Sequence, residues 1–509
     1  MKKNYLRENI LIMIKNNLIV FIFSVICFFS ACNTDSKQPN VIIIYADDLG
    51  FGDVSAYNQG TLNTPNIDRI ANEGIKFTNG HSSSATCSPS RYALLTGTYP
   101  WRNKKAKIST GASLIIDTNQ ITVPKMFKQM NYKTAIVGKW HLGLGYGKID
   151  YNIKISPGPN ELGFDYSYIM PDTQDRVPTV YIEDGYVKNL DKEDPLFVNF
   201  KNNFDNQPTG KSNPELLTTK WHHGHFNTIV NGISRIGFMK GGKKAYWSDI
   251  DMADHFLNVT KSYIIKNKEN PFFLFYSMQQ PHVPRTPHPR FVGTSGMGPR
   301  GDVIIEADWC IGELYKTLEE EDLLENTLII ISSDNGPVLN DGYYDEAVEK
   351  LGNHTPAGIL RGGKYSLFEA GTRVPFISYW KGVIKPKISN KLISQIDIFG
   401  SLSSIINSNL HTKDSKDLSQ LLLTGAGIER DKLILEAFGK TALKYGDWVL
   451  IPPYKGSPVS KYTNVELGNS DNYQLYNLKD DPGQRINLVN QEKEKFLELK
   501  EIYSESINN

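Results

Sequence analysis

The apolar residues of this chain cluster in short blocks rather than in strict alternation, and helical stretches separate the blocks. Val41 to Tyr45 is a β-branched run with no change of polarity, the pattern of a parallel strand buried on both faces. Leu328 to Ile331 repeats that pattern, and Thr134 to Val137, Phe272 to Tyr276 and Pro375 to Tyr379 supply further strands. Helical stretches such as Asp302 to Glu320 lie between them. The alternation predicts an α/β fold, with a large, doubly wound, mostly parallel sheet flanked by helices over residues 41–429. Ligands of such sheets gather at the carboxyl ends of the strands. From about residue 430 the texture changes. Leu433 to Ala437 and Trp448 to Ile451 predict a small antiparallel sheet and Glu492 to Tyr503 a closing helix, giving a C-terminal α+β subdomain over 430–509. The stretch from Tyr151 to Lys244, rich in Asn, Gly, Pro and His, shows no clear period and reads as long loops with some strand.

The N-terminus has a different pattern. Lys2, Lys3, Arg7 and Lys15 lead into an apolar run from Leu18 to Phe29, too short for a permanent membrane helix and fitted to a secretory leader. Phe29-Ser30-Ala31-Cys32 resembles a bacterial lipobox, which implies a signal peptide over 1–31, cleavage before Cys32 and lipidation of its thiol. Residues 32–40 then form a polar, lipidated tether. The expectation is an exported lipoprotein, held to a membrane through Cys32 and facing the periplasm or the cell surface. A plain signal peptide with an incidental cysteine is the alternative, and would make the protein periplasmic. Loss of the leader removes Cys27 and leaves Cys32, Cys87 and Cys310, so a lipidated Cys32 and an oxidised Cys87 would exclude a structural disulfide.

Composition adds little beyond size. A chain of 509 residues with 40% hydrophobic residues buries a large core. A formal charge of +1 and no long basic block offer nothing to steer nucleic acid, so no nucleic-acid partner is expected. Local clusters must carry any recognition of anions.

Four such clusters stand out. Asp47-Asp48 follows the first strand and Asp334-Asn335 follows the run at Leu328, so both fall at strand ends. Together they supply only oxygen ligands, which suits calcium or magnesium and argues against zinc. Carboxylates crowded there without a cation would raise one another's pKa. Taken singly, an Asp-Asp pair also suits a turn or a helix cap. Gly138-Lys139-Trp140-His141 follows another strand, and extended backbone would place Lys139 and His141 on one face. His282 lies in Gln280-Pro281-His282-Val283-Pro284, and Lys364 in Arg361-Gly362-Gly363-Lys364.

The decisive string is Cys87-Ser88-Pro89-Ser90-Arg91-Tyr92-Ala93-Leu94-Leu95-Thr96-Gly97. It resembles the type I sulfatase signature of the alkaline phosphatase superfamily, in which the cysteine is oxidised to formylglycine by a formylglycine-generating enzyme. The hydrated aldehyde is a geminal diol: one hydroxyl attacks sulfur, and the other later loses its proton so that the carbonyl re-forms and sulfate is expelled. With Asn472 to Leu488 included, the likeness covers about residues 38 to 488. It implies a divalent cation, preferentially calcium, held by Asp47, Asp48, Asp334, Asn335 and the oxidised Cys87. It further implies that Arg91 holds the diol, that Lys139 and Lys364 bind sulfate, that His141 assists collapse of the sulfated diol, and that His282 protonates the leaving oxygen. Gln484 stands where the family often has an acid, at a position remote in sequence from this chemistry.

A narrower likeness, to bacterial glycan sulfatases that remove 6-O-sulfate from galactose or N-acetylgalactosamine, rests on three strings. These are Asp175-Arg176-Val177-Pro178, His223-Gly224-His225 with Val230-Asn231-Gly232-Ile233, and Asn335-Gly336-Pro337 through Gly342-Tyr343. It nominates Asp175, Arg176, His223 and His225 as contacts to sugar hydroxyls of a sulfated glycan. Two alternatives differ in kind: a phosphate mono- or diester hydrolase of the same superfamily, and a lipid-anchored glycan-binding protein whose Cys87 is never oxidised. Cys87 with Pro89 and Arg91 favours sulfate over the first, and the intact catalytic set speaks against the second.

Overall fold

The computed structural model describes residues 38–508 except 59 and 60, together with scattered helical positions between 6 and 15. Most of the expected leader, and Cys32 with its tether up to residue 37, lie outside the described residues. Among the described residues no helix is long and apolar enough to cross a membrane.

The predicted strands form, several of them longer than expected, while the one expected from Pro375 begins at Phe376. Asn40–Ala46 (β1), Ile75–Phe77 (β2), Lys133–Lys139 (β3), Tyr166–Met170 (β4), Ile182–Glu183 (β5), Tyr186–Val187 (β6), Phe272–Ser277 (β7), Thr327–Ser333 (β8), Phe376–Tyr379 (β9) and Lys387–Ser389 (β10) make one sheet. Its order is β10-β2-β9-β8-β1-β7-β3-β4-β5-β6. The centre, β8-β1-β7-β3-β4, is parallel throughout. Antiparallel pairing enters on both flanks, at β9 beside β8 and at β5 beside β4.

Unbroken hydrophobicity in β1 has a direct cause: both faces are covered. Val41, Ile43 and Tyr45 point into one core layer with Leu94 and Leu95 of helix α2 (Cys87–Thr96), Phe127 of α3 (Val123–Gln129) and Leu402 of α6 (Ile398–Ile405). Ile42, Ile44 and Ala46 point the other way, onto Ile67 of α1 (Pro65–Glu73), Phe256 of α4 (Met252–Asn267) and Ile311 of α5 (Gly298–Glu320). Successive strand side chains alternate between faces, so one strand serves two layers. Each aliphatic side chain so buried contributes about 1.5–3 kcal/mol.

Four antiparallel strands, Lys432–Ala437 (β11), Lys440–Tyr445 (β12), Trp448–Ile451 (β13) and Gln474–Asn477 (β14), form a second sheet in chain order, closed by helix α7 (Lys493–Asn508). Its core shares Ala85, Leu367 and Phe368 with the large domain, and Pro39–Asn509 forms one compact unit. The stretch from Tyr151 to Lys244 contains more order than its texture suggests. It supplies β4, which extends the parallel sheet, and two short two-stranded pairings.

Candidate active site

Strand register builds the site. Ala46 of β1 lies opposite Ser333 of β8, so the residues that follow, Asp47-Asp48 and Asp334-Asn335, leave the sheet side by side. Backbone bonds hold the turn: Asp334 N donates to Ala46 O at 3.1 Å and Asp47 N to Gln280 O at 2.9 Å. The Asp48 backbone is left-handed, at φ 67°, and its N–H reaches Asp334 Oδ1 at 3.2 Å.

On the other side of β7, Gly138 pairs with Ser277. A Cβ at Gly138 would lie 1.8 Å from the Ser277 carbonyl oxygen, so only glycine lets β3 pass this close. Lys139 therefore ends its strand fully buried, with its ammonium on the Asp47 carboxylate and 3.9 Å from Asp334 Oδ2. His141 does not follow it onto the same face. Its φ of 53° breaks the extended backbone on which that expectation depended. The ring instead sits with Nε2 2.9 Å from Asp172 Oδ1 and 3.0 Å from Arg176 Nη1, and its buried Nδ1 has no partner.

Cys87 is the first residue of α2, and Arg91 lies one turn further along the same helix face. The Cys87 sulfur is 3.5 Å from Asp47 Oδ1. Arg91, with no exposed surface, donates Nε and Nη2 to Asp334 Oδ2 at 3.0 and 2.7 Å, and Nη1 to Ser277 Oγ and the Lys139 carbonyl. Lys364 approaches from the opposite side, 2.8 Å from Asp48 Oδ2 and 2.9 Å from Asp341 Oδ2. His282 donates Nδ1–H to Val283 O at 2.7 Å, which leaves Nε2 facing Asp48 Oδ2 at 3.9 Å.

Part of this set borders a cavity of about 210 Å³, while Arg91, Lys139 and the Asp47, Asp48 and Asp334 carboxylates lie behind its lining. Cys87, His141, Asp175, Arg176, His225, His282 and Lys364 all line it. His225 donates to Asp175 Oδ2 at 2.6 Å through Nε2, and its Nδ1 meets His223 O at 2.6 Å. His223 is absent from the lining, and its ring stacks on Tyr462 with centroids 4.4 Å apart.

The charges explain one another. Burial, and then repulsion by Asp334, push the Asp47 carboxyl above its ordinary value despite its lysine partner. Asp334 is held well down against its burial by Arg91 and Lys139. Burial and the Asp334 charge raise the Cys87 thiol well above its ordinary value, so the unmodified sulfur keeps its proton and is a poor nucleophile. Burial lowers His141 to about 4, with Lys139 and Arg176 adding to the effect.

A divalent cation fits here. Ligand atoms from Asp47, Asp48, Asp334 and Cys87 lie within 4.8 Å of one another. Asn335 Oδ1 is buried without any hydrogen-bond partner, an acceptor left for a cation. The oxygen-rich donor set is that of a hard metal.

Sequence reasoning missed Asp341 and Asp172, which hold Lys364 and His141 in place. Asp341 lies inside a string already singled out, and Asp172 follows β4, a strand hidden in the loop-like stretch. Gln484, set aside for its distance along the chain, is fully buried: its Oε1 accepts from Glu369 N at 2.7 Å and its carbonyl accepts from Arg361 at 2.7 Å, so it braces the loop that carries Lys364.

A buried helix N-terminus facing acidic and basic side chains at the carboxyl edge of a parallel sheet is suited to an enzyme that handles an anionic group. The sulfatase family profile matches residues 39–408, and the chain belongs to that family. It is a sulfuric ester hydrolase. The chain is 48% identical to a Bacteroides thetaiotaomicron N-acetylgalactosamine-6-O-sulfatase over 92% of its own length and 93% of the relative's. Human arylsulfatase A is 28% identical, over 89% of this chain and 84% of the relative. A solved structure from a Bacteroides thetaiotaomicron locus for the metabolism of multiple glycosaminoglycans superposes with a TM-score of 0.91 at 47% identity, covering 93% of this chain and all of that one.

Proposed function

We propose that this sulfatase removes 6-O-sulfate from galactose or N-acetylgalactosamine units of a sulfated glycan, after oxidation of Cys87 to formylglycine. The likeness to the N-acetylgalactosamine-6-O-sulfatase, running the length of both chains, carries the choice of sugar and position. Hydrated formylglycine supplies the hydroxyl that attacks sulfur, and a cation, calcium in this reading, held by Asp47, Asp48, Asp334 and Asn335 supplies positive charge beside it. Lys139 and Lys364 offset charge on the sulfuryl oxygens. His282 presents Nε2 to the ester oxygen and gives it a proton as the sugar departs. His141 Nδ1, the ring atom left without a partner, takes the proton released when the sulfated diol collapses. Asp175, Arg176 and His225 face the sugar hydroxyls, since polar groups fixed in a pocket discriminate by being left unpaired when the fit is wrong. His223, behind them, acts through its carbonyl on His225.

The basic start, the apolar run from Leu18 and the segment ending in Cys32 support export as a lipid-anchored protein with the catalytic unit in the periplasm or at the cell surface. Oxidation of Cys87 requires a formylglycine-generating enzyme as maturation partner.

The test is free sulfate released from a panel of sulfated monosaccharides by protein co-produced with a formylglycine-generating enzyme. The mass of the tryptic peptide containing residue 87 reports its oxidation. Release confined to 6-sulfates, and lost in Cys87→Ala, is the expected result. Release from another position would discard the sugar assignment, and near-normal activity of Cys87→Ala would discard the formylglycine mechanism.

A further inference from the structure

The turn between β11 and β12 is built against its own preferences. Ala437 pairs with Lys440, so the two loop residues are Phe438 and Gly439, at φ 52° and 78°. A two-residue turn with both φ positive favours Asn, Asp or Gly at its first position, and a bulky side chain there is strained. Phe438 nevertheless occupies it, 44% exposed, and lines the catalytic cavity. Strain of this kind persists where the surroundings fix it. Here Ala85 N donates to Glu436 O at 2.7 Å, two residues before Cys87, and the Glu436 carboxylate accepts from Ser84 Oγ and Gly439 N. The Phe438 ring stacks on Tyr365, beside Lys364, with centroids 5.0 Å apart.

The ring has a second neighbour. Lys107 Nζ sits 4.6 Å from the Phe438 centroid, and Lys107 is exposed and lines the same cavity. Two other cations of the lining rest on acids: Lys364 on Asp48 and Asp341, and Arg176 on Asp172. Lys107 rests on an aromatic face and is not hydrogen-bonded to an acid, although its charge reaches the Glu436 carboxylate of the same turn. Lys107 is exposed, whereas Lys139 and Lys364, the lysines proposed to hold the sulfate to be cleaved, are buried.

We infer that Lys107 is a specificity-determining residue, positioned by Phe438, that pairs with a second anionic group on the substrate. That group is either the carboxylate of an adjoining uronic acid or a second sulfate ester. The inference deepens the sulfatase reading above and rests on it. An acidic glycan is thereby preferred over a sugar whose single negative charge is the scissile sulfate.

The experiment compares kcat/KM on three substrates: a hexose 6-sulfate, its 4,6-disulfate, and a 6-sulfated disaccharide carrying a uronate. Lys107→Ala should lower kcat/KM on one or both of the latter two by about fivefold more than on the monosulfate, as expected for loss of one charge-assisted contact. The difference should shrink as ionic strength rises from about 0.05 to about 0.5 M, and Lys107→Arg should restore it. The substrate that shows it identifies carboxylate or sulfate. Phe438→Asn, which suits the turn, should give the same selective loss, and the double variant no more than either alone. Equal losses on all three substrates, or none, would overturn the inference. Failure of the unaltered protein on all three would instead overturn the assignment of sugar and position.

Discussion

His282 is the proton donor of the proposed mechanism, and its surroundings set its charge. Burial, reinforced by the Lys364 and Lys139 ammoniums, lowers its imidazole well below the ordinary value, so the free protein holds it neutral at pH 7. A sulfate group placed between those lysines brings negative charge to the same spot and favours the imidazolium. Binding of inorganic sulfate should therefore take up a proton, with affinity falling by up to about tenfold per pH unit as pH rises. Calorimetry in buffers of different ionisation enthalpy measures this uptake, which should vanish in His282→Gln; heats independent of buffer would contradict it. Lys364→Ala removes a donor aimed at the developing charge and should cost roughly 100- to 1000-fold in kcat, read by initial rates. The residue types of this centre were legible in the chain because each sits in a short string of restricted chemistry, Cys87 to Gly97 above all. Their holders were not: Asp341, Asp172 and Ser277 are common residues whose roles depend on which loops the fold brings together.

At the level of the element, the sequence declares a strand by what it buries. β1, β7 and β8 were readable because burial on both faces demands uninterrupted apolar residues. β2 and β10 are three-residue segments whose partners alone make them strands, and β4 begins Tyr-Ser-Tyr in a region dominated by loop-forming residues. The Lys139–His141 expectation failed for a related reason, since a local backbone reversal cannot be seen in spacing. Close approach of β3 and β7 makes Gly138 sensitive. Gly138→Ala adds a methyl against the Ser277 carbonyl at φ 113° and should destabilise the protein by on the order of 3 kcal/mol while displacing Lys139. Urea unfolding and residual activity would report the two effects, and a variant of unchanged stability and rate would refute the constraint.

Across the whole molecule, the small C-terminal sheet is bound into the catalytic body rather than appended to it. Arg430, at the junction, donates to Asp397 Oδ2 at 2.7 Å and to the Tyr99 hydroxyl at 2.9 Å, all three groups being buried. Removing one partner of such a pair typically costs about 3–5 kcal/mol, so Arg430→Ala should lower the denaturation midpoint markedly. Fluorescence and activity should be lost together in one transition; an early, separate loss of the C-terminal sheet would show two independent units. Composition announces this sheet by its change of texture, but the bonds that join Glu436 to Ser84 and Ala85 arise only in three dimensions.

All ten residues of helix α2, Cys87 among them, are buried. A second enzyme that must grip several residues around a cysteine to oxidise it has no purchase on this surface once the chain has closed. If residue 87 is oxidised as proposed, this burial sets the alteration before folding: a molecule that closed first would keep a thiol at its centre.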